Sequence, residues 1–263
     1  MNNIHNTAII GGSVRLGDGV CIGAYAIVEP DVEIGNNTVI EPHAKVCSGA
    51  RIGANCRICS FANVSGLPQD LHFDASLKTY AQIGDGTVVR ECASIHRATF
   101  EGKSTVVGKN CLIMTSGHIG HDCVVGDNVI IANYAALAGH VHCGDFAFMS
   151  GGVMIHQRTR IGEGVIVSGN SAASMDIPPF VIAEDRNNLG GLNLIGMTRR
   201  GMSRAEISEI KSAYFKVYGG GAVRKNALEL LESGTVKFDG TRRFLEFFKM
   251  PERRYLFPRK SRR

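Results

Sequence analysis

The chain has 263 residues, of which 32 are glycine and none tryptophan, with 44% hydrophobic residues, 20% charged residues and a formal net charge of +5. A collagen-like chain needs far more than the seven prolines present, a disordered chain needs fewer aliphatics and more charge, and no run of about 18 apolar residues is available to span a membrane. What remains is a glycine-rich, aliphatic-rich globular chain long enough for one or two domains. The N-terminus, Met1 to His5, has neither a charged n-region nor an apolar h-region. Eight cysteines without a secretory signal predict a reducing, cytoplasmic setting.

Stepping by six from Ile4 gives Ile10, Leu16, Ile22, Val28, Ile34, Ile40, Val46, Ile52, Ile58 and Val64, all aliphatic. Four residues after each of the first ten, Ile4 to Ile58, comes a small or β-branched residue, from Ala8 and Val14 to Cys56 and Ala62. The pattern breaks over about 65–82 and resumes with Ile83, Val89 and Ile95. It misses at Glu101, within a second, smaller loop at about 100–105, and then runs from Val107 to Val167. A period of six fits neither an α-helix nor an alternating strand. It fits a parallel β-helix in which three hexads make one triangular coil and each coil stacks on the next. Residues 1–183, the predicted β-helix, hold 23 of the 32 glycines, most of them suited to its turns. Cys56 and Cys59 form a CxxC pair. Cys56, Cys111 and Cys123 nevertheless fall in the small-residue slot, so the repeat accounts for them better than redox or metal chemistry does.

The code changes near Asp176-Ile177-Pro178-Pro179, where prolines oppose strand pairing. Residues 184–263 are predicted to be a helical domain. Ser203 and Glu206 form a capping box, followed by an apolar face of Ile207, Ile210, Tyr214 and Val217 and a stop at Gly219-Gly220-Gly221. A second helix is expected over Val223–Glu232 and a third over Thr241–Lys249. The chain ends in Arg253, Arg254, Arg259, Lys260, Arg262 and Arg263, a basic tail on a body with 23 basic and 24 acidic side chains.

Histidines concentrate in the second run: His96, His118, His121, His140 and His156. With 18 residues per coil, His121 lies below Gly139, His140 one residue along, and His156 a coil higher. Several imidazoles, the natural general bases near neutral pH, thus share one side of the prism. Asp122 beside His121 can hold its tautomer. His5, His43 and His142, the last in a turn-like setting, read as ordinary surface residues.

The segment Ile113-Met-Thr-Ser-Gly-His-Ile-Gly-His-Asp-Cys123 resembles the active-site segment of the UDP-N-acetylglucosamine 3-O-acyltransferases of lipid A biosynthesis, which are hexapeptide-repeat enzymes. So do Ile95–Thr99, Leu137–Val141, Val153–Gln157, Asp176–Ala183, Pro68–Leu71 and Arg199–Ser203, so that the resemblance covers nearly the whole chain. It implies a mainly β fold, a left-handed parallel β-helix with a C-terminal α-helical domain. It also implies a cytoplasmic homotrimer with sites between prisms and with no metal, bound cofactor, nucleic acid or integral membrane segment. The donor would be an R-3-hydroxyacyl chain on the phosphopantetheine of acyl carrier protein, and the acceptor a UDP-amino sugar. His121 would be the general base, Asp122 would orient it, and the Gly139 N–H would serve the oxyanion. Asp70, His72, His118, His140, His156, Gln157, Asn193, Arg199 and Arg200 would bind substrate, and Gly169 would measure the acyl chain. The basic tail would meet the acidic carrier protein.

Two positions depart from the family pattern: His72 replaces a typical Lys, and Ile195 a typical Glu. They leave room for a 3-amino acceptor and N-acylation, or for a catalytically silent paralogue that only binds. A γ-type carbonic anhydrase, with His96, His118 and His121 on one zinc, is the other reading of the histidines.

Overall fold

The computed structural model describes residues 1–258. Most hexads fold into a two-residue strand and a short turn, as in Cys21–Ile22, Ile27–Val28 and Glu33–Ile34. Consecutive hexad strands do not pair. Each strand pairs in parallel one coil away, Cys21 with Val39 and Ile22 with Ile40. Three faces of 12, 9 and 8 strands therefore enclose a triangular prism, and the chain visits the first, second and third face in turn. The hexad aliphatics point inward, so that Ile22, Val28, Ile34, Ile40, Val46, Ile52, Ile58 and Val64 are buried. Thr38, a hydroxyl in the small-residue column, is fully buried yet satisfied, because it donates to Gly53 O at 2.8 Å and accepts from Cys56 N at 3.0 Å. The first coil has no partner below it among the described residues, and Ile4 and Ile9 remain exposed there.

Two outgrowths interrupt the stack without spoiling its phase. The usual pairing separation is 18 positions. It becomes 31 where Ile58 pairs with Val89 across the first loop, and 24 where Ile95 pairs with Ile119 across the second. Glu101, the missed hexad position, is exposed and accepts the Lys78 N–H at 2.8 Å, which ties the small loop to the base of the large one. His142 lies on the strand His142–Cys143 of the third face, not in a turn as its sequence setting suggested.

The prism closes with the strand Val181–Glu184, which pairs with Ile166–Val167 and turns back through Asn188–Leu192 as a hairpin. The expected domain boundary at 183 falls inside that strand. Four helices follow: α1 (Leu194–Arg199), α2 (Arg204–Tyr218), α3 (Val223–Glu232) and α4 (Asp239–Glu246). Ser203 caps α2 by accepting the Glu206 N–H at 3.1 Å. The reciprocal half of the expected capping box is not made, because the Glu206 carboxylate instead accepts the Gly240 N–H at 3.1 Å and joins α2 to α4. Ile210, Tyr214 and Val217 are buried as expected, against Phe244, Leu245 and Phe248. None of these helices is long and apolar enough to cross a membrane.

The start of the basic tail is built into the fold rather than left in solvent. Asp176 is buried and accepts Arg160 N at 2.9 Å and Arg253 Nε at 2.8 Å. Phe257–Pro258 then pairs with Asn188–Leu189. Arg254 is exposed, and Arg259, Lys260, Arg262 and Arg263 lie outside the described residues.

Candidate active site

The histidines gather at the corner between the second and third faces. His121, Gly139 and Gln157 stack at one turn position on three successive coils. Asp122, His140 and Arg158 stack at the next, each with φ near +60° (58°, 61° and 63°). In that left-handed turn the His140 N–H donates to His121 O at 2.9 Å and the Arg158 N–H to Gly139 O at 3.0 Å. Gly139 lies directly against the His121 imidazole, and an added Cβ would sit 2.6 Å from its Nε2. The corner is therefore a shelf on which one ring lies flat only because the residue above it is glycine.

The Asp122 carboxylate lies 2.8 Å from His121 Nδ1. Burial works against its charge, but hydrogen bonds from Thr99 and His121 outweigh that and hold it below the usual carboxylate range. An ionised Asp122 can only accept, so the imidazole proton resides on Nδ1 and Nε2 carries the free lone pair. His140 presents its Nε2 to the same carboxylate at 3.8 Å, and its ring meets the His121 ring edge-on with centroids 5.1 Å apart.

On the second face, His118 projects outward between Ser94 below and Ala136 above, with Ser94 Oγ 2.8 Å from its Nδ1. His96 packs edge-on against it at 4.8 Å. Burial pushes His96 down to about 4, with the positive forms of His118 and His121 adding to the effect. Burial also lowers His118 and His140. In all three the shift favours the neutral ring. Together with Gln69, His121, Ala138, Gly139, Met154 and Gln157, His96 and His118 line a cleft of about 330 Å³.

The other expected site residues divide into groups. Asp70 is exposed on the large loop, and its charge reaches His140. His72 is exposed on the same loop, where its N–H donates to Asp70 Oδ1 at 2.9 Å. His156 opens onto the adjoining groove with Met154, Ala172 and Asn187. Gly169 lies across the second face, at its edge with the first, with Gly151 O 3.5 Å from where a Cβ would be. Asn193, Arg199 and Arg200 are elsewhere, on or beside α1 at the corner between the third and first faces. Asn193 is buried, capping α1 through Gly196 N and donating to Gly164 O, both at 2.9 Å. Arg200 pairs with Glu163 at 2.9 Å and lies over Phe146. Arg199 and Ile195 are exposed.

Three contacts had no counterpart in the sequence reading: Thr99 and Thr105 on Asp122, and Ser94 on His118. The zinc trio is not assembled. Among the described residues, the ligand atoms that converge at this corner are those of His121, Asp122 and His140, not of His96, His118 and His121. Cys56 is buried, its thiol directed at Gly84 O at 3.2 Å and pushed up by burial, so it packs in the small-residue column.

Comparison with known proteins bears on the whole chain. Residues 176–256 match the family described as Udp N-acetylglucosamine O-acyltransferase, Domain 2, and residues 31–66 and 104–139 match the bacterial transferase hexapeptide repeat. An acyl-[acyl-carrier-protein]--UDP-N-acetylglucosamine O-acyltransferase from Aliarcobacter butzleri (strain RM4018) is 44% identical over 241 residues, covering 90% of this chain and 92% of its own length. One of the same name from Pseudomonas putida is 43% identical over 242 residues, covering 89% and 92%. The solved UDP-N-acetylglucosamine acyltransferase from Campylobacter jejuni superposes with a TM-score of 0.92 at 38% identity, over 98% of this chain and all of that one. That from Francisella novicida gives 0.91 at 31% identity, over 98% and 95%.

Proposed function

The chain belongs to the acyl-[acyl-carrier-protein]--UDP-N-acetylglucosamine O-acyltransferases of lipid A biosynthesis, with their left-handed β-helix, and on that premise we propose that His121 is the base of the transfer. The enzyme moves an acyl chain from acyl carrier protein to UDP-N-acetylglucosamine. In our reading, Nε2 of His121 removes the proton of the sugar 3-hydroxyl as that oxygen attacks the thioester carbonyl. The tetrahedral oxyanion is met by the Gly139 N–H, a fixed dipole of the kind that contributes a few kcal/mol, about 3, to such steps. The intermediate collapses to the ester and expels the pantetheine thiolate, which takes the proton back from His121. The observation that carries this is the His121–Asp122 contact beneath Gly139. It leaves one nitrogen protonated and one free at the wall of a cleft.

The donor chain, an R-3-hydroxyacyl group, would cross the second face past Met154 and Ala172 toward Gly169, where the absence of side chains leaves room for a long chain. The sugar and pyrophosphate would contact Asp70, His72, His118, His140, His156 and Gln157. Arg199 lies on a different edge of the prism from His121. We therefore read the enzyme as a homotrimer in which α1 of one protomer completes the cleft of its neighbour. Eight free thiols support a cytoplasmic location.

Replacing His121 with Ala should lower kcat by about 10²–10⁴-fold, with the melting temperature and oligomeric mass unchanged. The readout is the acylated sugar nucleotide, by mass spectrometry, from 3-hydroxyacyl carrier protein and UDP-N-acetylglucosamine. Turnover near the wild-type rate would refute the base.

A further inference from the structure

Asp122 is gripped from one place. Thr99 donates its hydroxyl to Oδ2 at 2.6 Å and its N–H to both carboxylate oxygens, at 3.1 and 3.2 Å. Thr105 Oγ1 accepts the Asp122 N–H at 2.8 Å. These two threonines flank the small loop that breaks the hexad pattern. In the uninterrupted stack, side chain-to-backbone contacts between coils span 15 to 20 positions, 18 in the case of Asp18 N and Asn36. Thr99 reaches Asp122 across 23. The extra residues of the loop thus bring a hydroxyl beneath the turn of the coil above, and the loop is fastened by Glu101 to Lys78 N and by Gly102 N to Lys78 O.

Oδ2 also receives His121 Nδ1, so the Thr99 hydroxyl and the imidazole share one oxygen. A carboxylate turned by a quarter about its Cβ–Cγ bond would lose both. We propose that Thr99 is a positioning residue for the acyl transfer, fixing the rotation of the Asp122 carboxylate so that Oδ2 faces His121 Nδ1. This rests on the reading of His121 as the base, through which any effect of Thr99 must act.

The test compares Thr99→Val, Thr99→Ser, Asp122→Asn and the Thr99→Val/Asp122→Asn double variant with the wild type. Thr99→Val should lower kcat by about 10–100-fold with KM for both substrates unchanged, and Thr99→Ser should stay within about threefold of wild type. On the Asp122→Asn background the valine should cost less than about twofold, because the carboxylate it orients is gone. The acidic limb of the kcat/KM profile in Thr99→Val should move to lower pH, since an imidazole that loses its aligned carboxylate binds its proton less tightly. The other titratable and charged groups facing the dyad are His96, His118, His140, Asp70 and Arg158, and all are retained in these variants. The proposal is overturned if Thr99→Val keeps kcat within twofold, if its loss is undiminished on Asp122→Asn, or if Thr99→Ser is as slow as the valine. Should the valine variant fail to fold, Thr99→Ala takes its place in the same cycle. His121→Ala separates the two readings. An active His121→Ala removes the base, whereas an inactive one beside a fast Thr99→Val removes only the role of Thr99.

Discussion

A methyl group at position 139 would lie 2.5 Å from His121 Cε1, closer than any side chain tolerates. The backbone of Gly139 is not in the left-handed region, so alanine fits the turn and its whole effect falls on the ring. Gly139→Ala should therefore fold with a melting temperature close to wild type. It should lose about 10²-fold in kcat, the usual cost of displacing a reacting group by about an ångström. A loss of stability without loss of rate would mean that the glycine serves packing alone. The stacking of 121 under 139 was legible from the coil length of 18 and Asp122 from its place beside His121, whereas the part assigned to Gly139 came from the family resemblance. Thr99 was not legible, because an inserted loop changes the separation and no spacing rule anticipates a contact at 23 positions.

At the scale of elements, the short strands and the three longer helices follow from patterns that repeat or alternate, which is why the positions of Ile22 to Val167 and the face of α2 could be read in advance. The hairpin and α1 carry no such signal. Asn188–Leu192 contains two glycines and α1 is six residues with a glycine inside, so tertiary contacts create both: Asn193 ties α1 to Gly164, and Phe257–Pro258 covers the hairpin edge. That Arg253 is part of the fold was not legible for the same reason, since its partner Asp176 is distant in sequence. Removing Arg253 leaves the buried Asp176 with one fewer cation. Arg253→Ala should destabilise the fold by about 1–3 kcal/mol and lower the apparent melting temperature by several degrees, with kcat little changed. Thermal unfolding followed alongside turnover checks both. Salt-sensitive binding of carrier protein, if the tail supplies it, has to come from Arg254 onward.

For the whole molecule, the separation of the two groups of expected substrate contacts matters most. The histidines occupy one edge of the prism and Arg199 another, so a single protomer does not present them together. If the cleft is completed by a neighbour, His121→Ala and Arg199→Ala protomers, each poorly active alone, should complement one another when co-expressed. Random trimers then hold about a quarter of the wild-type number of intact clefts, by the counting that cyclic symmetry imposes. Activity no higher than the mean of the separate variants would place every required group within one chain. The small loop has one further consequence. Because each coil contacts only its neighbours, residues can be extruded from one rung while every rung above keeps its footing. Such a ladder can acquire side-chain partnerships by local lengthening rather than by altering its core. Trimming the chain between Thr99 and Thr105 is thus a way to disarm the enzyme while leaving the scaffold to assemble.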